Sequence, residues 1–180
     1  VVIIGTGAAG LFTAISFPHD YRILMITKDK IENSDSYLAQ GGISTLLDAN
    51  DYEAYFQDTM KAGHFKNAAE SVETMIKSSK RIIDRLVDIG VDFDRSEDGE
   101  PDYTREGGHS AYRILHHKDI TGKEIVTRLI KVAKKCSNIT MLEDTTMVDL
   151  ITVDNNCLGI IMKDNNGIKK CFARHTILAT

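Results

Sequence analysis

Apolar and polar positions follow two different periods along this chain, and the changes of period mark its elements. Val1 to Ile4 is an unbroken apolar run, the pattern of a strand buried on both faces of a parallel sheet. Gly5 interrupts it, apolar and small residues from Ala8 to Phe17 predict a helix that Pro18 closes, and Arg22 to Thr27 returns to a β-rich run. Strand, glycine turn, helix and strand in that order make a βαβ unit. Residues 29–45 are polar and glycine-bearing, a long loop of the kind that usually binds something. Asn50-Asp51-Tyr52-Glu53 has capping-box spacing and predicts a helix ending at Gly63, and Asn67 with Glu70 repeats the signal. Val72, Ile76, Ile83, Leu86 and Val87 keep helical spacing, interrupted near Ser78-Ser79, until Gly90 stops them. Val91 to Phe93 then leads into a second polar loop reaching about Asp119.

Thr121-Gly122-Lys123-Glu124 is another capping box, opening a helix whose buried stripe is Ile125, Leu129, Val132 and Ala133. Beyond Asn138 the pattern is β: Ile139 to Leu142, Thr146 to Val153, Leu158 to Lys163, Lys169 to Ala173 and Thr176 to Ala179. Asn165-Asn166-Gly167 joins two of these as a hairpin. The expected class is α/β, a Rossmann-like parallel sheet with flanking helices and a small antiparallel β-meander before the last strand.

Composition narrows the function. The 180 residues carry a net charge of −4, so no basic footprint argues for nucleic acid, and Lys131, Lys134 and Lys135 read as a solvated helix face. Cys136, Cys157 and Cys171 have no CxxC spacing, which predicts neither a disulfide framework nor a zinc site, and a reducing, cytoplasmic setting. No apolar run reaches the roughly 18 residues of a membrane span. Both ends fall inside strand-like runs, which predicts a segment cut from a longer protein.

Gly5-Thr6-Gly7-Ala8-Ala9-Gly10 fits G-x-G-x-x-G between a strand and a helix. Gly5 permits the tight turn, Gly7 lets backbone approach a pyrophosphate, and Gly10 lets helix and strand pack closely. The helix N-terminus adds free N–H groups and partial positive charge, so the motif predicts a dinucleotide. The acidic residue that usually binds the ribose about 20 positions on is missing; Thr27-Lys28 stands there. A hydroxyl still suits a ribose, and a lysine suits a phosphate, which leaves an NADP-binding module open.

The second loop distinguishes these. Ser36-Tyr37-Leu38-Ala39-Gln40-Gly41-Gly42-Ile43 resembles the AQGG segment of the flavoprotein family containing succinate dehydrogenase, fumarate reductase and L-aspartate oxidase. Thr104-Arg105-Glu106-Gly107-Gly108-His109-Ser110, then Arg113-Ile114-Leu115-His116, Asp119 and Thr121-Gly122, resemble its L-aspartate oxidase branch. The resemblance spans Val1 to Thr180 and implies an N-terminal FAD-binding domain over residues 1–180, with the capping domain and C-terminal portions lying further on. It implies that Ser36 to Gly42 wrap the FAD, with Gln40, Gly41 and Gly42 near its ring system, Val148 near the adenine, and Ala179-Thr180 approaching the flavin. Where membrane-bound relatives attach FAD through a histidine, Asp35 stands here, so non-covalent FAD is expected.

The same resemblance implies FAD-dependent oxidation of L-aspartate to iminoaspartate in NAD biosynthesis, with O2 or fumarate as acceptor and a functional link to quinolinate synthase. It gives Glu106 the task of orienting L-aspartate, since a carboxylate suits an ammonium group. The remaining acid–base residues would follow Thr180, so residues 1–180 alone are expected to be inactive. Arg105 and Arg113 either grip a substrate carboxylate or brace the loop. His116 and His117 read as structural, and His64 and His175 as structural or surface. A soluble fumarate reductase and a non-catalytic nucleotide-binding module are the competing readings.

Overall fold

Residues 1–180 are all described by the computed structural model, in which the elements run β1 (Val2–Ile4), α1 (Ala8–Ser16), β2 (Ile23–Ile26), α2 (Asp35–Leu38), β3 (Ile43–Ser44), α3 (Tyr52–Ala62), α4 (Ala69–Asp88), β4 (Tyr103–Thr104), β5 (Ile114–Leu115), α5 (Thr121–Ala133), β6 (Ile139–Leu142), β7 (Thr146–Val153), β8 (Asn156–Asp164), β9 (Gly167–Phe172) and β10 (Thr176–Leu178). They form two units, one of Val1–Ala39 with Ile125–Thr180 and one of Gln40–Glu124.

The first unit is built on a parallel sheet of order β10-β1-β2-β6. All of β1 is buried, as an unbroken apolar run requires. Val2 and Ile4 face Ile26, Ile160 and Met162, so the antiparallel meander β7-β8-β9 packs on one face of the sheet. Alternation sends Ile3 and Met25 to the opposite face, and α1, which touches β1 and β2, buries Gly10, Leu11 and Ala14. The α/β class, the glycine-turn βαβ unit and the meander are therefore as the pattern predicts. Helix α5 buries Ile125, Val126, Leu129, Ile130 and Ala133, with Val132 only half-buried, and Lys131, Lys134 and Lys135 are exposed.

The second unit departs further from expectation. Both polar loops contain strands, and β3, β5 and β4 form a three-stranded antiparallel sheet. Each of its strands is two residues long, too short for any period to show. The helices are correct in kind, but their caps differ. Asp48, not Asn50, caps the 3-10 turn that leads into α3, accepting from the N–H groups of Asn50 and Asp51. Asn67 makes no cap for α4; its amide donates to the Thr59 carbonyl. The Thr121 hydroxyl accepts from the His117 N–H, and Glu124 accepts from the Asp92 N–H. Gly63 closes α3 at a φ of −86°, and the left-handed residues there are His64 and Phe65. Helix α4 runs unbroken through Ser78 and Ser79, whose hydroxyls bond to carbonyls of the preceding turn. None of its helices is long and apolar enough to cross a membrane.

Candidate functional site

The glycine turn leaves β1 with Gly5 at a φ of +111°, a conformation side chains disfavour, and a Cβ there would sit 2.2 Å from the Ala179 carbonyl oxygen. A Cβ on Gly10 would sit 2.2 Å from the Gly5 oxygen, so α1 meets the strand as closely as backbone permits. Gly7 is the N-cap of α1 with no side-chain cap, which leaves the first N–H groups uncovered by any side chain. Ser36 lies beside it, its hydroxyl 3.0 Å from where a Gly7 Cβ would be. Such a surface suits a phosphate: backbone donors, the positive helix end, a nearby hydroxyl and no intruding side chain. Ala8 and Ala9 begin the helix there, and Ala179, whose N–H donates to Ile4 at 2.8 Å, borders the turn with Thr180 beyond it. Thr6 is buried and donates to the Ile31 carbonyl at 3.2 Å, so its side chain braces the turn. Thr27 is buried at the end of β2, while Lys28 is exposed.

In the second unit the two motifs that carry the resemblance meet. A Cβ on Gly41 would lie 3.1 Å from a carboxylate oxygen of Glu106, and one on Gly42 would lie 2.2 Å from Ile114 Cγ2 and 2.4 Å from the Leu115 carbonyl. Gln40 donates through Nε2 to Asp119 at 3.2 Å. Gly42 thus has a local reason to lack a side chain, namely the close approach of β5. Gln40, Gly41 and Glu106 are all exposed, so an apposed ligand would meet amide, bare backbone and carboxylate together.

Behind that surface lies a buried ion cluster that sequence reading missed. Arg113 is 0% exposed. Its Nε and Nη2 bond to Asp51, the closest contact being 2.7 Å, and its Nη1 bonds to Asp58 at 2.6 Å. The guanidinium lies 5.0 Å from the centre of the Tyr55 ring. Every edge of the fork is occupied, so Arg113 braces and does not present itself to a substrate carboxylate. The one trace in the sequence is that Asp51, just before α3, and Tyr55 and Asp58 within it recur at i, i+4 and i+7, which marks a polar stripe but not its partner. Asp58 has its carboxyl held below the usual range; burial pushes it up, but the Ser110 N–H, Arg113 and the Ser110 hydroxyl outweigh that. Burial raises the Tyr55 phenol, partly offset by its hydrogen bond with Ser44 and by Arg113.

His109 faces Arg113 Nη1 through Nδ1 at 3.4 Å and Ser44 Oγ through Nε2 at 3.4 Å. A guanidinium only donates, so Nδ1 can serve this contact only as an acceptor. Ser44, Tyr55, Asp58 and His109 line a cavity of about 530 Å³ between β3, α3, α4 and the Gly107-Gly108-His109 loop.

The other candidates are more dispersed. Tyr37 is half-buried; Leu38 and Ala39 are exposed at the end of α2, which Ser34 caps. Val148 sits at a bulge in β7 and is 55% exposed, so it is not a core valine. Arg105 stacks over Tyr112, 5.4 Å from its ring centre. His116 Nδ1 lies 3.2 Å from Asp94, after α4, while His117 Nδ1, 3.5 Å from the same carboxylate, is buried without a hydrogen-bond partner.

Residues 1–180 match the family described as FAD binding domain, and the chain belongs to that family. The L-aspartate oxidase of Clostridium acetobutylicum is 44% identical over 180 residues, which are all of this chain and 42% of that protein. The Mycobacterium smegmatis Sdh1 complex superposes with a TM-score of 0.90 at 26% identity, over 99% of this chain and 33% of that one. Escherichia coli quinol fumarate reductase FrdA gives 0.94 at 23% identity, over 99% of this chain and 32% of that one, which is a likeness of fold. The chain thus spans well under half the length of these relatives.

Proposed function

We propose that this member of the FAD binding domain family is the N-terminal, cofactor-holding part of an L-aspartate oxidase. The observation that carries the reading is the meeting of Gln40-Gly41-Gly42 with Glu106 in one exposed surface. Those two segments belong to the two motifs on which the resemblance to L-aspartate oxidases rests, and the 44% identity of the Clostridium enzyme supports the same assignment.

Gly5 to Gly10 would hold the FAD pyrophosphate on the uncapped start of α1, with Ser36 alongside. Thr27 and Lys28 would face the ribose, Ser36 to Gly42 would follow the cofactor, and Val148 would lie toward its adenine. Ala179 and Thr180, set against Gly5, would border it as well. Bound there, FAD supplies the two-electron oxidation of an amine-bearing carbon. Glu106 would pair with the substrate ammonium and fix its orientation, a charge-assisted contact that strengthens as water leaves. Arg113, already satisfied by Asp51 and Asp58, keeps the loop in place and leaves the substrate carboxylates to groups beyond Thr180. On this reading the product is iminoaspartate, O2 or fumarate accepts the electrons, and the pathway is NAD biosynthesis in the cytoplasm, next to quinolinate synthase.

The test uses the full-length protein loaded with FAD. Anaerobic L-aspartate should bleach the flavin band, and O2 or fumarate should restore it. Glu106→Gln should raise KM for L-aspartate by about tenfold, the loss of one charge-assisted contact. Bleaching by succinate with none by L-aspartate would transfer the protein to the fumarate reductase side of the family.

A further inference from the structure

The loop that carries Glu106 is unpacked at its centre, between the Arg105–Tyr112 stack and the contact of His109 with the Tyr55 ring. Gly107 and Gly108 have open space where side chains would be, and Gly108 lies at a φ of +87°. A segment with two adjacent unpacked glycines is the most flexible the backbone offers, so its shape must come from ties at its ends. At the upstream end, Tyr103–Thr104 pairs with Ile114–Leu115. Inside the loop, the His109 N–H donates to the Glu106 carbonyl at 3.2 Å.

The downstream end is held by His109, 3.4 Å from both Ser44 and Arg113, and more closely by one oxygen of Asp58. Asp58 Oδ2 accepts from the Ser110 N–H at 2.7 Å, from the Ser110 hydroxyl at 2.7 Å and from Arg113 Nη1 at 2.6 Å. Asp58 is itself fixed: it projects from α3, and the Arg113 it binds is fully buried and locked on its other edge by Asp51. The rigidity of a helix and a buried ion cluster is thereby passed to an otherwise slack loop. Glu106 itself touches neither Asp58 nor Arg113 in this arrangement; its carboxylate lies over Gly41.

We infer that Asp58 is a positioning residue for substrate recognition, which acts by clamping Ser110 and so holding the Glu106 carboxylate over Gly41. The inference rests on the proposed role of Glu106 as the ammonium partner. It predicts a defect in binding with little effect on the chemical step, because the clamp touches neither the cofactor segment nor the reacting carbon.

The experiment is a double-mutant cycle on the full-length, FAD-loaded protein, with Asp58→Ala, Glu106→Gln and the pair, measuring KM and kcat for L-aspartate separately. Asp58→Ala should raise KM by about tenfold with kcat within about twofold, the signature of lost ground-state binding. The pair should be little worse than Glu106→Gln alone, since both changes remove the same contact. Asp58→Asn, which keeps an acceptor for Ser110, should recover most of the loss. If Asp58→Ala fails to fold, Ser110→Ala removes one bond of the clamp and should still raise KM, by about threefold. A normal KM in the folded Asp58 variant, or in Ser110→Ala when that stands in for it, with a raised KM in Glu106→Gln, overturns the clamp and leaves the proposed function standing. A fully multiplicative pair also overturns it. A normal KM in Glu106→Gln removes the premise and the inference together.

Discussion

Replacing Arg113 by Met isolates the energetic weight of the buried cluster. The guanidinium is 0% exposed, and the Asp51 and Asp58 side chains it serves are 9% and 16% exposed. Removing the cation leaves two carboxylates facing the apolar Met side chain, with no counter-charge. Breaking a buried pair in this way typically costs about 3–5 kcal/mol, most of it the penalty of the charge left behind. Two features place the cost near the lower end. Both carboxylates retain some access to water, and Asp58 keeps the two donors of Ser110. About 3 kcal/mol is therefore expected, or about 6–12 °C in melting temperature for a chain of this size.

Urea unfolding of the Arg113→Met variant, followed by intrinsic tyrosine fluorescence, measures it as a shift in midpoint at constant slope. If unpaired charge is the cause, Arg113→Met combined with Asp51→Asn and Asp58→Asn should be more stable than Arg113→Met alone, although it has lost more native hydrogen bonds. A loss below about 1 kcal/mol for the single variant, or a triple variant no more stable than it, would refute the account.

Three further outcomes are expected. Gly10→Ala must push α1 about 1 Å from the Gly5 oxygen to relieve the 2.2 Å contact, an overpacking cost of about 1–3 kcal/mol, and FAD affinity by equilibrium dialysis should fall with it; unchanged affinity would count against the cradle. The lowered carboxyl of Asp58 contributes stability that is fully present above the unfolded carboxylate value of about 3.9 and is lost as pH falls through the lower folded value, so acid unfolding below about pH 4 should be less pH-dependent in Asp58→Asn than in the wild type. Acid precipitation of the FAD-loaded protein should leave the yellow colour in the supernatant, because Asp35 stands where an attaching histidine would be; colour in the pellet would show a covalent bond.

How far the fold was legible depends on where each residue finds its partners. The parallel sheet could be read because β1 and β2 are buried along their whole length or nearly so, which forces continuous apolar runs. The glycine turn could be read because Gly5 takes a φ of +111° and Gly10 is crowded by the Gly5 oxygen five residues back, although what crowds Gly5 itself is the distant strand end at Ala179. The sheet β3-β5-β4 could not, because two-residue strands leave no period and are stabilised by what they pack on. Caps misled in the same way. Asn67 and Thr121 are good capping residues by local rules, yet each spends its side chain on a partner outside its own first turn, and Asn50 yields the cap to Asp48.

Arg113 makes the physical point most sharply. From sequence, an arginine in a polar loop suits a substrate carboxylate and a structural ion pair equally well. The two roles differ only in whether its donors are already taken, and the groups that take them stand 62 and 55 residues away, at Asp51 and Asp58. No window of local pattern contains that distance. The same applies to Asp58, which on an exposed α3 would read as an ordinary helix carboxylate. Its place in the site follows from three donors converging on one oxygen, two of them from a loop residue whose sequence neighbourhood gives no hint of it. The glycines of the turn can be read from sequence because a tight turn opening a helix repeats at fixed spacing. Buried charges record what has come from far along the chain, and their function has to be read from geometry.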